Sequence, residues 1–229
     1  MKLSIIVPCY NEEATVGKVL QQLLELQLPC EVEVLVVDDG STDSSTNIIE
    51  KFQKVQLIRH EVNKGKGAAL KTGIENASGD FVLIQDADLE YFPKDIPKLI
   101  DPILSDKADV VLGSRFLGKP KGMSRSHLFA NKLLSFAARI LFHSRITDVM
   151  TGYKVFPRKA FEEISITSRS FDIETELVGK FLRLGLRVVE VPIQYEYRRM
   201  GKSKITWKHG FASLWKLLRI RFSHMEKER

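Results

Sequence analysis

Short apolar runs at residues 3–7, 32–37, 81–84 and 110–113, with a weaker one at 56–59, are separated by stretches of helical periodicity. Residues 12–27 place Val16, Val19, Leu20, Leu23, Leu24 and Leu26 at helical recurrence, a second helix runs through Phe52, and residues 68–76 give a third. Runs this short and this apolar, alternating with amphipathic helices, predict an α/β fold with a mostly parallel central sheet flanked by helices on both faces. Ligands of such sheets gather beyond the carboxyl ends of the strands. The polar motifs fall at those ends: Pro8 to Glu12, then Asp38 with Asp39, then Asp86 to Asp88, then Ser114 with Arg115.

After Arg115 the pattern changes. A Gly/Pro/Lys loop at 118–122 leads to a long apolar helix at 126–143, a helix at 171–184, a strand at 188–192 and a basic amphipathic helix at 208–222. No Ser/Gly-rich linker and no internal repeat interrupts the 229 residues, so a single domain is expected, with the stretch from 117 onward as its extension. The formal charge of +6 is uneven, and residues 198–229 are densely basic. A basic end of this kind fits phosphates, on an acceptor or on an anionic membrane surface; a solvated helix face is the plainer reading.

Cys9 and Cys30 give no disulfide framework, and Cys9, closing an apolar run, reads as a small core residue rather than a nucleophile. The apolar start is too short for a signal peptide, and no run approaches the roughly 18 apolar residues of a spanning helix. A cytoplasmic protein able to touch a membrane is therefore expected.

Alternation beyond the run at 81–84 puts Asp86 and Asp88 on one side of the chain, with Ala87 between them. Paired hard oxygen ligands at a strand end suit Mg²⁺ or Mn²⁺, and Glu90 keeps the same spacing as a third oxygen. Taken alone, Asp-x-Asp is common, and one Asp capping a helix while the other is merely exposed explains it as well.

The neighbouring motifs sharpen the reading. Pro8-Cys9-Tyr10-Asn11-Glu12, Val37-Asp38-Asp39-Gly40-Ser41, Asn63-Lys64-Gly65-Lys66-Gly67, the stretch from Gln85 to Glu90 and Gly113-Ser114-Arg115 together resemble the family 2 glycosyltransferases of GT-A (Rossmann-like) fold. The later segments, Asp148 to Tyr153 and Arg198-x-x-Gly201-x-Ser203-Lys204, resemble the branch that uses dolichyl or polyprenyl phosphate. The resemblance implies a nucleotide-sugar-binding half at 1–116 and an acceptor-binding half at 117–229 with C-terminal acceptor-side helices. It places Pro8, Tyr10, Glu12, Val37 and Asp39 at the donor's base and ribose, and Asp86, Ala87 and Asp88 at its diphosphate and metal. Arg115, Arg198 and Lys204 fall on the basic positions that hold the donor diphosphate and the acceptor phosphate.

Glu90 departs from the mannosyltransferase pattern, where Gln or Ser is frequent, so UDP-glucose and GDP-mannose both stay open as donors. A lipid phosphate attacks the anomeric carbon without a strong base, because its second pKa is about 6; the resemblance implies inversion in a single displacement. A hydroxyl acceptor would need a base, for which Asp172 or Glu174 is the candidate, unless both simply begin an exposed helix. A non-catalytic sugar-nucleotide-binding subunit is disfavoured by the presence of both the metal carboxylates and the late basic residues. Nucleic acid is disfavoured as a partner, since aromatic interleaving is thin and the acidic site repels a polyanion. The helix at 126–143 is expected to face the core in part and the basic helix at 208–222 to lie at a membrane interface. The sequence leaves open whether a membrane protein recruits the chain.

Overall fold

The computed structural model describes residues 1–164, 166–168, 170, 172–197 and 207–223, the last stretch with side chains from 210 onward. Strands β1 (Lys2–Cys9), β2 (Glu31–Asp38), β3 (Val55–Arg59) and β4 (Phe81–Ile84) alternate with helices α1 (Val16–Glu25), α2 (Ser45–Ile49) and α3 (Lys66–Glu75). A 3₁₀ turn at Pro93–Asp95 leads into α4 (Ile96–Leu104), β5 (Val110–Ser114), α5 (Arg115–Gly118) and α6 (Arg125–Phe142). There follow β6 (Lys154–Pro157), α7 (Arg158–Glu162), α8 (Ile173–Arg183), β7 (Val188–Pro192) and α9 (Trp207–Phe222).

The strands form a seven-stranded sheet in the order β3-β2-β1-β4-β6-β5-β7. Every pairing is parallel except those of β6, which runs antiparallel to β4 and to β5. The carboxyl ends of β1, β2, β4 and β5 therefore share one edge. Chain order reverses at β1, between β2 and β4, and a crevice opens where the crossover helices part to opposite faces.

Burial on both faces explains why the strands read as continuous apolar runs. Leu3, Ile5 and Val7 of β1 pack with Val16, Val19 and Leu20 of α1 and with Ile96, Leu99 and Ile100 of α4. Ile6 turns the other way, into a cluster with Leu70 and Ile74 of α3, Phe156 of β6 and Phe181 of α8. Gly73 lets α3 lie close on β1, since a Cβ there would overlap the Ile6 side chain.

Some boundaries differ from the sequence expectation. Helix α1 begins at Val16, not at 12, because the amides of Thr15 and Val16 both bond to the Glu12 carbonyl in a preceding turn. Helix α4 was hidden by Pro97 in its first turn, where proline is tolerated, and by Pro102 near its end. Strand β6 was hidden by Lys154, which is fully buried. Helix α6 buries Leu134, Ser135 and Ala138, while Phe129 (70% exposed), Leu133, Phe136 and Ile140 form an outward apolar stripe. Helix α9 packs on α6 and α8, burying Leu217 and Ile220 and turning Phe211, Trp215 and Phe222 outward. Among the described residues no helix is long and apolar enough to cross a membrane.

Two consequences for stability can be measured. Phe181 is fully buried with its ring 5.0 Å from that of Phe156, so Phe181→Ala should cost about 3–5 kcal/mol in urea unfolding. Glu176, in the first turn of α8, accepts from the amides of Thr167 (3.1 Å) and Ser168 (2.8 Å) and pairs with Lys180 at 2.6 Å. Burial alone would raise its carboxyl, but Lys180 and the Ser168 and Thr167 bonds outweigh it and hold the group at about 2. The folded value lies below the unfolded one, so this stabilisation is complete above the unfolded carboxylate range and is lost as pH falls from about 5 toward 2. Glu176→Gln should remove roughly 2–3 kcal/mol of the pH-dependent part of the unfolding free energy. Identical pH slopes in the two proteins would refute this.

Candidate active site

The crevice at the shared strand edge is a cleft of about 870 Å³. Its lining is drawn from the segments after β1 and β2, the loop after β4, Arg115 after β5, and helices α6 and α9.

Asp39 organises the end nearest β1 and β2. Its amide donates to the Cys9 carbonyl at 2.8 Å, which ties the ends of β1 and β2 together. Its Oδ1 accepts from the Lys64 amide (3.0 Å) and lies 2.7 Å from His60 Nδ1, while Oδ2 accepts from the Gly65 amide at 2.8 Å. Gly65 sits at φ +93°, a conformation that favours glycine, and delivers the chain into α3. Asn11, at φ +53°, accepts from the Thr42 amide at 2.8 Å, and the Glu12 amide donates to Ser45 at 2.8 Å. Pro8, Tyr10 and Glu12 are thus held as a rigid rim. Burial, reinforced by Asp38, pushes the Cys9 thiol up to about 12, which removes it as a nucleophile at neutral pH.

Beneath the loop after β4 lies a chain of alternating charges. Asp86 Oδ1 is 2.6 Å from Lys66 Nζ, which is 2.7 Å from Glu174 Oε1; Glu174 Oε2 meets Lys154, which also donates to the Thr151 carbonyl. Burial raises the Asp86 carboxyl, with Lys66 opposing it. Glu174 is lowered despite its burial, because Lys154 and Lys66 flank it, and it stays an anion. Glu174 is therefore neither an exposed helix start nor a poised base. Asp172 accepts from Ser168 Oγ at 2.7 Å and does not line the cleft.

Arg115 is the cation on the β5 side, 7% exposed. Its Nε and Nη2 each donate to Asp148 at 2.7 Å, and its amide adds a third bond to the same carboxylate at 3.0 Å. The guanidinium lies over Tyr195, 5.3 Å from the ring centroid. Asp148 is oriented in turn by Glu190, whose two oxygens accept from the Thr147 and Asp148 amides at 2.8 Å each. The rest of this segment knits the floor: Thr151 Oγ1 donates to the Gly113 carbonyl (2.6 Å), the Gly152 amide to Tyr91 Oη (2.9 Å), and Tyr153 Oη to Gln85 Oε1 (2.5 Å). A Cβ at Gly152 would collide with Asp86, so the glycine makes room for that carboxylate. Toward α6 and α9 the lining gains apolar side chains, Ala130, Leu133, Leu134, Phe211 and Leu214, with Ser126, His127 and Asn131 of α6 among them.

Most of the residues singled out in the sequence come together here. Pro8, Tyr10, Glu12 and Asp39 line one end of the cleft, and Asp86, Ala87, Asp88, Glu90 and Arg115 line its middle. Val37 does not: it is fully buried, its side chain turned toward Gly73 of α3, because alternation along β2 points it into the core. Arg198 and Lys204 lie outside the described residues. The alternation expected to carry Glu90 alongside Asp86 and Asp88 is also broken. Strand β4 ends at Ile84, and Leu89 at φ +62° turns the chain, so that Glu90 Oε2 accepts from Tyr195 Oη at 2.7 Å. Among the described residues no three acidic, His or Cys side chains converge on a ready-made metal position. Asp86 and Asp88 remain as hard oxygens, and the Lys66 ammonium on Asp86 marks a place where a cation is accommodated. They fit a Mg²⁺ or Mn²⁺ ion that takes its other oxygens from water and phosphates. Sequence reasoning missed Asp148, Tyr195 and the Lys66–Glu174–Lys154 chain; Lys66 and Asp148 stood inside motifs to which it gave no task.

The family model described as glycosyl transferase family 2 matches residues 4–165. The chain is 30% identical over 231 residues to the dolichol-phosphate mannosyltransferase of Pyrococcus furiosus, covering 96% of this chain and 64% of that one. It is also 30% identical over 241 residues to the UDP-N-acetylglucosamine–dolichyl-phosphate N-acetylglucosaminyltransferase of Methanococcus voltae, covering 95% of each. It thus spans less than two thirds of the Pyrococcus protein and nearly all of the Methanococcus one. Among solved structures, glucosyl-3-phosphoglycerate synthase from Mycobacterium tuberculosis, in complex with Mn²⁺, UDP and phosphoglyceric acid, superimposes with a TM-score of 0.78 at 24% identity. The superposition covers 96% of this chain and 78% of that one and bears on the fold alone. With the family model spanning most of its length and the Methanococcus relative matched almost end to end, the chain belongs to glycosyl transferase family 2, built on the GT-A fold.

Proposed function

We propose that this glycosyltransferase moves a hexose, from UDP-glucose or GDP-mannose, to polyprenyl or dolichyl phosphate with inversion, working at an anionic membrane surface. The observation that carries this reading is the two-part lining of the cleft. A carboxylate-rich part bearing Glu12, Asp39, Asp86 and Asp88 is joined by Arg115 to an uncharged, more apolar part drawn from α6 and α9. Such a gradient matches a charged donor on one side and an acceptor with a phosphate head and a hydrocarbon tail on the other. Relatives that act on dolichyl phosphate, by their names, support the same acceptor class.

In this reading Pro8, Tyr10, Glu12 and Asp39 receive the base and ribose, whose N–H and O–H groups donate to the carboxylates. Asp86 and Asp88 would hold Mg²⁺ or Mn²⁺, which when bound supplies Lewis-acid neutralisation of the departing nucleoside diphosphate. Arg115 keeps its positive charge beside the Asp148 anion and orients its remaining N–H donors by stacking over Tyr195. Arg198 and Lys204 would clamp the acceptor phosphate. A phosphate nucleophile is already ionised near neutral pH, so the site needs positioning and charge neutralisation more than a base. The fixed pairing of Glu174 with two lysines accords with that, since it holds this carboxylate as a low-pKa anion unsuited to take a hydroxyl proton.

Phe129, Leu133, Phe136 and Ile140 of α6 are exposed, as are Trp215 and Phe222 of α9, which packs on α6, and Arg125, Lys132, Arg139, Arg219 and Arg221 are exposed on the same two helices. Apolar side chains bordered by cations suit headgroup-level insertion into an anionic bilayer.

Two experiments test the proposal. Protein incubated with Mn²⁺ or Mg²⁺, a short polyprenyl phosphate and either donor should place sugar in the lipid fraction, and EDTA should abolish transfer. Asp88→Ala should lower it by about a hundredfold or more; nucleotide binding without any lipid labelling would overturn the acceptor assignment. In flotation with phosphatidylserine vesicles, the triple variant Phe129→Ser, Phe136→Ser, Trp215→Ser should bind at least about tenfold more weakly at unchanged melting temperature. Undiminished binding would refute the membrane face.

A further inference from the structure

Lys66 belongs to the Asn63–Gly67 motif and has no part in the donor contacts assigned above. It opens α3 immediately after Gly65 and lines the cleft with its side chain 13% exposed. Its ammonium is shared between Asp86 (2.6 Å) and Glu174 (2.7 Å). The two anions are not equivalent. Glu174 is 4% exposed and committed through its other oxygen to Lys154, which is wholly buried. Asp86 is 17% exposed, stands at the cleft, and has Asp88 as its like-charged neighbour. Glu174 and Lys154 therefore form a fixed pair, whereas Lys66 and Asp86 form the end of the chain that reaches solvent.

This arrangement creates a conflict. The oxygen of Asp86 that lies 2.6 Å from an ammonium cannot also face a divalent cation without setting two positive charges against each other at low dielectric. Charge balance resolves the conflict in one direction. A nucleoside diphosphate arriving with its metal brings phosphate oxygens into the same cleft, and a lysine is a point charge on a flexible four-carbon stem with three donors. Its ammonium can leave the carboxylate for a phosphate while the carboxylate passes to the metal, and no charge is left uncompensated.

We propose that Lys66 is the resident counter-ion of Asp86 in the nucleotide-free cleft and changes partner on donor binding, from the carboxylate to the diphosphate. The inference rests on Asp86 being a metal ligand, as in the function proposed above. It makes Lys66 a competitor of the metal when nucleotide is absent and an ally of the nucleotide when metal is present. A residue that merely braces the loop would weaken both equilibria together.

The full chain and its Lys66→Met and Lys66→Arg variants would be titrated with Mn²⁺ alone, followed by electron paramagnetic resonance. UDP and GDP would then be titrated in saturating Mn²⁺ by calorimetry. Lys66→Met should bind Mn²⁺ alone about tenfold more tightly and the favoured nucleoside diphosphate about tenfold more weakly, while Lys66→Arg stays within about threefold of wild type on both. Should Lys66→Met fail to fold, Lys66→Gln carries the same pair of readouts, since it can hydrogen-bond Asp86 without a charge. Affinities that fall together, or that both stay unchanged, overturn the partner exchange while leaving the metal reading intact. A wild-type chain that binds neither Mn²⁺ nor nucleotide overturns the metal reading and the exchange with it.

Discussion

Burial pulls a lysine toward its neutral form, and an anion set against it is what holds the ammonium in place. Lys154 is such a lysine, set in the middle of the sheet on β6 and capped by Glu174 of α8. One oxygen of Glu174 answers Lys154, and the other, also under cover, calls for a second cation; Lys66 answers that, and its remaining reach extends to Asp86. Charge neutrality thus propagates outward, link by link, from the core to the cleft. The position of a carboxylate at the working surface is fixed by a lysine that never touches solvent. On the β5 side the order is fixed by hydrogen bonds instead: Glu190 holds the amides of Thr147 and Asp148, and Asp148 holds Arg115. Buried polar networks of this type are worth more for the single arrangement they enforce than for the stability they add.

Much of the sheet was legible in the sequence for a simple reason. Strands covered on both faces are apolar at consecutive positions, and the run at 81–84 coincides with β4 residue for residue. Strand β6 was illegible for the converse reason. It has four residues, begins with a lysine and ends with a proline, and its burial is licensed by a glutamate twenty positions away. No local pattern carries that information. Helix α4 was obscured in the same manner by prolines that its two ends tolerate.

The site shows a similar division. Motifs at strand ends located the cleft, because topology alone sends those ends to one edge. What the sequence could not supply was the direction of each side chain once the strands had stopped. Leu89 turns the chain through a left-handed conformation and sends Glu90 to Tyr195, from a segment a hundred residues later. Val37, still inside β2, obeyed strand alternation and faced the core. Asp148 to Tyr153 could be recognised as a motif but not understood as one, since its bonds run to Gly113, Arg115, Tyr91 and Gln85.

The antiparallel placement of β6 bears on how the two portions of the chain relate as heritable units. Strands β4 and β5 are not neighbours; β6 stands between them, and β5 takes its other partner from β7. A nascent chain that has emerged only through residue 116 holds five strands, of which β3, β2, β1 and β4 adjoin one another while β5 is cut off from them by a gap one strand wide. The later residues supply an interior strand, β6, as well as the edge strand β7. Exchange of the stretch from 117 onward between relatives would replace an interior strand of the sheet, so that stretch is free to vary in its loops and helix surfaces but not as a module.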